Sequence, residues 1–176
     1  DVLLDEDGIF IIEAPSLLVM LRDGTFDLAY HEHLSYLDPF PLNLLLLQHG
    51  FFIQRVEEIP IHGGSLRYYI RRSRGPLTAH QQPYAPFIPS RLPDYLFQKF
   101  ADHTANVREG LVAAVREQRG PVVGYGAPAK ATVLINYCGL GAEDIEFIVD
   151  DNPRKQGRYI PGPSIPIFPP REVDGL

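Results

Sequence analysis

Residues 121–140 read PVVGYGAPAKATVLINYCGL, and residues 145–150 follow as IEFIVD. A short apolar run reaches Gly124, a glycine turn follows, and a helix starts near Ala127-Pro128 and continues to Gly139. The next apolar run, Ile145 to Asp150, reads as a buried strand. Strand, turn, helix and strand in that order make a βαβ unit, the signature of the α/β class. Upstream, Asp7-Gly8 turns the chain into an apolar run, Ile9–Ile12, which lacks alternation and reads as a central strand of a parallel sheet. Ser16–Arg22 is a short helix ended by Gly24. A second helix starts at Asp38-Pro39 and stops at Gly50, and its five leucines predict cover on two sides.

FFIQRVEEI and SLRYYIRR read as two strands joined by PIHGG. In the second, Leu66, Tyr68 and Ile70 point one way and Arg67, Tyr69 and Arg71 the other. From Gly75 to Pro93 five prolines, the last being Pro93 itself, exclude regular structure, which marks a linker. A helix from about Pro93 to Gln118 follows, with Phe97, Phe100, Val107, Leu111 and Val115 on its apolar stripe.

Composition narrows the function. The 176 residues are 45% hydrophobic and 22% charged, which suits a globular chain with a core. A net charge of −6 argues against a nucleic-acid coat, so phosphate binding has to be local. Cys138 is the single cysteine, which rules out an internal disulfide and a cysteine-based zinc site and fits a reducing cytoplasm. No apolar run is long enough to span a bilayer. The opening on Asp1 and the ending PPREVDGL read as a fragment cut at both ends.

Four stretches carry candidate chemistry. YHEHLSYL, Tyr30–Leu37, lies past a strand's carboxyl end, where open α/β sheets bind ligands. A polar loop satisfying its own backbone and a proton-transfer site both fit it. In the second, imidazole is poised near neutral pH, with a carboxylate and phenols beside it. His31-x-His33 lacks a third ligand at an obvious spacing, so no metal is expected. In IHGGSLR, His62–Arg67, the glycines serve a turn or admit a ligand, with Ser65 or Arg67 bonding it. GYGAPAK, Gly124–Lys130, opens a helix whose N–H groups favour anions, although Ala129 stands where a dinucleotide fingerprint has its last glycine. Asp150 ends the next strand, where a ribose-binding acid would stand. The charges of Arg154, Lys155 and Arg158 read as a solvated loop or as a diphosphate-facing one.

Together YHEHLSYL, HGFFIQRVEEIPIHGGSLRYYI, GYGAPAKATVLINYCGL and IVDDNPRKQGRYIPGPSIPI resemble one family from Gly8 to Phe168. It is the S-adenosylmethionine-dependent C-methyltransferases of nucleotide-linked deoxy-4-ketosugars. The resemblance implies an α/β chain that ends a class I methyltransferase doubly wound sheet and continues into a second Rossmann-like domain, both incomplete. Residues 1–75 would close the methyltransferase domain, 76–92 form the Pro-rich linker, and 93–176 make the truncated C-terminal domain. The zinc-binding cysteines and the methyl-donor site would lie outside this chain. His33 is expected as general base, with Glu32 and Tyr30 in the same pocket. His31, Tyr36, His62, Ser65, Arg67, Tyr125 and Lys130 are expected to bind a nucleotide-sugar, dTDP-linked by family habit, with the glycine turn facing a cleft between the domains. The resemblance implies no nucleic-acid or membrane partner and leaves the oligomeric state open. A non-catalytic nucleotide-sugar-binding or assembly domain of the same fold, a relative acting on a non-sugar carbonyl compound, and a Rossmann oxidoreductase are the alternatives.

Overall fold

The computed structural model describes residues 3–61, 63–75 and 92–175. The chain divides into two compact units. One takes the chain up to Thr25 and from His33 to Phe100; the other takes Phe26–Glu32 and the chain from Ala101 onward. The sequence reading divides the chain at 75 and 93, whereas the units exchange a short segment at Phe26–Glu32.

The first unit contains β1 (Phe10–Pro15), α1 (Leu17–Asp23), α2 (Pro39–Gln48), β2 (Phe51–Ile59) and β3 (Ser65–Arg72). Its sheet runs β1-β3-β2 and is antiparallel throughout. The sequence reading expects parallel neighbours for β1, whereas its partner in the described sheet, β3, is antiparallel, and Phe10 is 46% and Ile11 52% exposed. Missing alternation reports two apolar faces but not which strands lie alongside. The β2–β3 hairpin folds back so that β3, not a parallel strand, pairs with β1. As expected, Leu66, Tyr68 and Ile70 are buried while Arg67, Tyr69 and Arg71 face outward. The core joins Val19, Leu42, Ile53, Leu66, Tyr68 and Ile70.

Ser16 caps α1 through Val19 N and also donates to Asp38 at 2.7 Å. Asp38 stands at the N-cap of α2 yet accepts from Leu18 N at 3.1 Å, so it serves α1 instead. Pro39 opens α2 as expected; within the described residues Leu42 and Asn43 are buried while Leu44 and Leu45 are about half exposed. Asn43 Oδ1 accepts from Ile53 N at 3.1 Å, beside the register shift between Ile53 and Arg55. A buried amide thus satisfies a ladder N–H at a bulge.

α3 (Asp94–Arg116) starts in the first unit and continues into the second. Its buried positions are Leu96 and Thr104, and Phe97 is 46% exposed. The stripe therefore starts at Leu96 rather than Phe97, and the polar Thr104 also holds an inward position. The second unit adds β4 (Val123–Tyr125), α4 (Ala129–Cys138), β5 (Phe147–Val149) and β6 (Ile167–Phe168). The sheet β4-β5-β6 is parallel, as the βαβ reading requires. β6, two residues set among prolines, was not legible as a strand. The core gathers Ile135, Cys138, Leu140, Ile145, Ile148, Ile160, Ile165 and Ile167, with Leu111, Val112 and Val115 of α3 against it.

Candidate functional site

Tyr30–Leu37 has no regular structure, and its two ends are held by different units. Upstream, Phe26–Leu28 forms a 3-10 turn with Leu28 fully buried. Ala29 N donates to Phe26 O and Tyr30 N to Leu28 O, each at 3.0 Å. The Phe26 ring lies 5.0 Å from that of Tyr137, and Asp27 Oδ2 is 3.2 Å from Lys130 Nζ. Downstream, Leu37 N donates to Pro15 O at 3.1 Å, and Tyr68 Oη donates to Leu37 O at 2.7 Å. Burial pushes the Tyr68 phenol well above its ordinary value, which keeps it a neutral donor.

Between these anchors His31 and Glu32 are exposed, and Tyr30, His33 and Tyr36 are half-buried. Tyr30 and His31 have ring centroids 6.2 Å apart; His33 meets Tyr36 edge-on at 6.3 Å. Tyr30, His31, Glu32, Tyr125 and Lys130 therefore share the second unit, while His33, Tyr36, Ser65 and Arg67 belong to the first. Imidazole, phenol and carboxylate side chains, the groups from which general acids and bases are drawn, thus follow one another on one short run.

The glycines of IHGGSLR answer to the turn. Gly63 and Gly64 have φ of 82° and 110°, and a Cβ on Gly64 would stand 2.2 Å from Val19 Cγ1. Ser65 is 3% exposed and its hydroxyl donates to Ile61 O at 3.4 Å. Arg67 follows two residues later on the same strand, and Glu13, its register partner on β1, accepts from its Nε and Nη2 at 3.0 and 2.8 Å. Both polar groups are thus engaged by partners within the first unit. His62 lies outside the described residues.

In the glycine turn, Gly126 has φ 88°, which lets its N–H turn back to Val149 O at 2.7 Å. Ala127 N donates to Asp150 Oδ2 at 2.7 Å, Asn152 N to Oδ1 at 2.8 Å, and Lys155 Nζ to Oδ2 at 3.0 Å. Burial opposes the charge on Asp150, yet these donors together hold its carboxyl below the usual carboxylate range. This bears on the expectation for Asp150. Asp150 is a clamp between the turn and the 151–155 loop, not an acid open to a ribose, and two of the turn's N–H groups are spent inside the fold. Tyr125 is 74% exposed and donates to Asp151 Oδ2 at 2.9 Å. Lys130 is paired with Asp27 rather than simply solvated. Sequence reasoning missed Asp27; an acid in a short Phe-Asp-Leu turn was visible, but its distant lysine partner was not.

Among the described residues no group of three or more His, Cys, Asp or Glu side chains is arranged to hold a metal ion, and no helix is long and apolar enough to cross a membrane.

Residues 60–175 match the family described as the C-methyltransferase C-terminal domain. The chain belongs to that family. It is also 34% identical over 185 aligned positions to C-methyltransferase NovU of Streptomyces niveus, an alignment that covers 98% of this chain and 43% of that protein. The chain therefore spans less than half the length of this relative. The match to the C-methyltransferase C-terminal domain takes in β3 and all of the second unit's elements from α3 onward. The Tyr30–Leu37 run falls before it, within the alignment to the relative.

Proposed function

We propose that the protein carrying this chain is an S-adenosylmethionine-dependent C-methyltransferase whose acceptor is a nucleotide-linked deoxy-4-ketosugar, dTDP-linked by expectation. Residues 1–75 close its methyltransferase domain, 76–92 cross over, and 93–176 form its C-terminal domain. The observation that supports the reading is the run Tyr30-His31-Glu32-His33 in a chain of this family, with its entry fixed by the bond from Tyr30 N to Leu28 O. His33 takes the proton from the sugar carbon beside the ketone. The C–H electron pair becomes an enolate, and that carbon then accepts the methyl group. A neutral imidazole suits this step because it gains a proton without first burying a charge. Glu32 orients or stabilises the imidazolium, and Tyr30 donates to the developing oxyanion. His31, Tyr36, His62, Tyr125 and Lys130 are the residues assigned to the substrate's surroundings. Ser65 and Arg67 carry less of this assignment, since their polar groups are engaged within the first unit. The methyl donor is required by the reading, and no described residue is assigned to hold it. A role in deoxysugar biosynthesis and a cytoplasmic setting follow from the same reading.

The test is methyl transfer by the full-length protein from S-adenosylmethionine to a dTDP-linked 4-ketosugar. The wild type should methylate the carbon next to the ketone, and His33→Ala should abolish turnover with donor affinity unchanged. Wild-type turnover in that variant removes His33 from the base role.

A further inference from the structure

We infer that Lys130 is a positioning residue, which fixes the Tyr30–Glu32 half of the run by gripping Asp27. The inference rests on the function proposed above and changes the part Lys130 plays in it. Lys130 sits in the first turn of α4, and Tyr137 follows seven residues later, so both project from one face of that helix. Lys130 Nζ reaches Asp27 Oδ2 at 3.2 Å, and the Tyr137 ring meets Phe26 at 5.0 Å. One helix face therefore holds two successive residues of the 3-10 turn. Leu28, fully buried, pins the third.

The grip passes directly into the run. Backbone bonds from Ala29 N to Phe26 O and from Tyr30 N to Leu28 O leave no free hinge between Asp27 and Tyr30. Tyr30 is thus placed by α4, although it does not belong to it, and the chain enters His31 and Glu32 from that fixed point. The geometry also explains why the lysine stands here. Its ammonium is turned toward a carboxylate that is only about a third exposed, 32% against 36% for Lys130 itself. A lysine serving chiefly as a substrate cation would have to give up this partner.

The experiment compares Asp27→Asn, Lys130→Met, the double variant and the exchanged pair Asp27→Lys/Lys130→Asp in the full-length enzyme. Positioning predicts that each single change lowers kcat about fivefold, the upper end for a pair this exposed, with KM for the ketosugar little changed. The double variant should be no worse than either single one, and the exchanged pair should recover most of the loss. Amide hydrogen exchange over Phe26–Glu32 should speed up in both single variants and slow again in the exchanged pair. A rise in KM confined to Lys130→Met, with no recovery on exchange, assigns Lys130 to the substrate and overturns the inference. Unchanged exchange over Phe26–Glu32 overturns it equally. That exchange readout needs no turnover, so it decides the positioning role even if His33→Ala leaves methyl transfer intact and the proposed reaction falls.

Discussion

Replacing Asp150 tests whether the glycine turn is held by one buried carboxylate. Asp150 is 7% exposed and accepts from Ala127 N at 2.7 Å, Asn152 N at 2.8 Å and Lys155 Nζ at 3.0 Å. Asp150→Ala removes both backbone acceptors and leaves Ala127 N, on a residue only 8% exposed, without one. Two backbone bonds to a charged acceptor, at about 1.5 kcal/mol each, make a loss of about 3 kcal/mol. The Lys155 bond adds little, because its side chain is 37% exposed and the pair is screened. Asp150→Asn keeps an acceptor for one N–H and should cost about half as much. Urea denaturation followed by circular dichroism measures both. The carboxyl's folded pKa is depressed, so its contribution is complete above the unfolded value of about 3.9 and fades as pH falls through the lower folded value. The gap between wild type and Asp150→Asn should therefore narrow in acid. An Asp150→Ala variant within about 0.5 kcal/mol of wild type at neutral pH refutes the clamp.

Gly64→Ala should cost about 2–4 kcal/mol, since it combines φ 110° with a Cβ 2.2 Å from Val19, and Gly50→Ala, with φ 75° and open space, about 1 kcal/mol; equal losses in thermal melts would remove the Val19 contact from the account. Tyr68→Phe should lose about 1 kcal/mol with the bond to Leu37 O. The raised phenol also contributes stability that is full below about pH 10 and lost as pH rises toward its folded value. The variant should lack that alkaline decline, which a pH series of urea midpoints reads directly.

Legibility followed how local each signal was. Ser16, Gly24, Pro39 and Gly139 bound their helices where the sequence put them, because caps are decided by a few adjacent residues. The βαβ unit was equally plain, since its strands, turn and helix are contiguous. What escaped were pairings across the chain. The order β1-β3-β2 depends on how the β2–β3 hairpin folds back, and Ile9–Ile12 carries no trace of that. Tyr30-His31-Glu32-His33 stood out by composition, but its division between units depends on Asp27 meeting Lys130 and Phe26 meeting Tyr137. Asp150 stands at the strand end where the sequence put it, but with donors from Ala127, Asn152 and Lys155 that the sequence did not show. One sequence shows where a carboxylate stands but not which donors have already reached it.

Solvent exchange at the acceptor carbon tests the central claim most directly. The full-length protein is incubated in D2O with a dTDP-linked 4-ketosugar and no methyl donor, and deuterium at the carbon beside the ketone is followed by NMR. The account predicts incorporation with the wild type and none above background with His33→Ala. Incorporation at the wild-type rate in His33→Ala would contradict it.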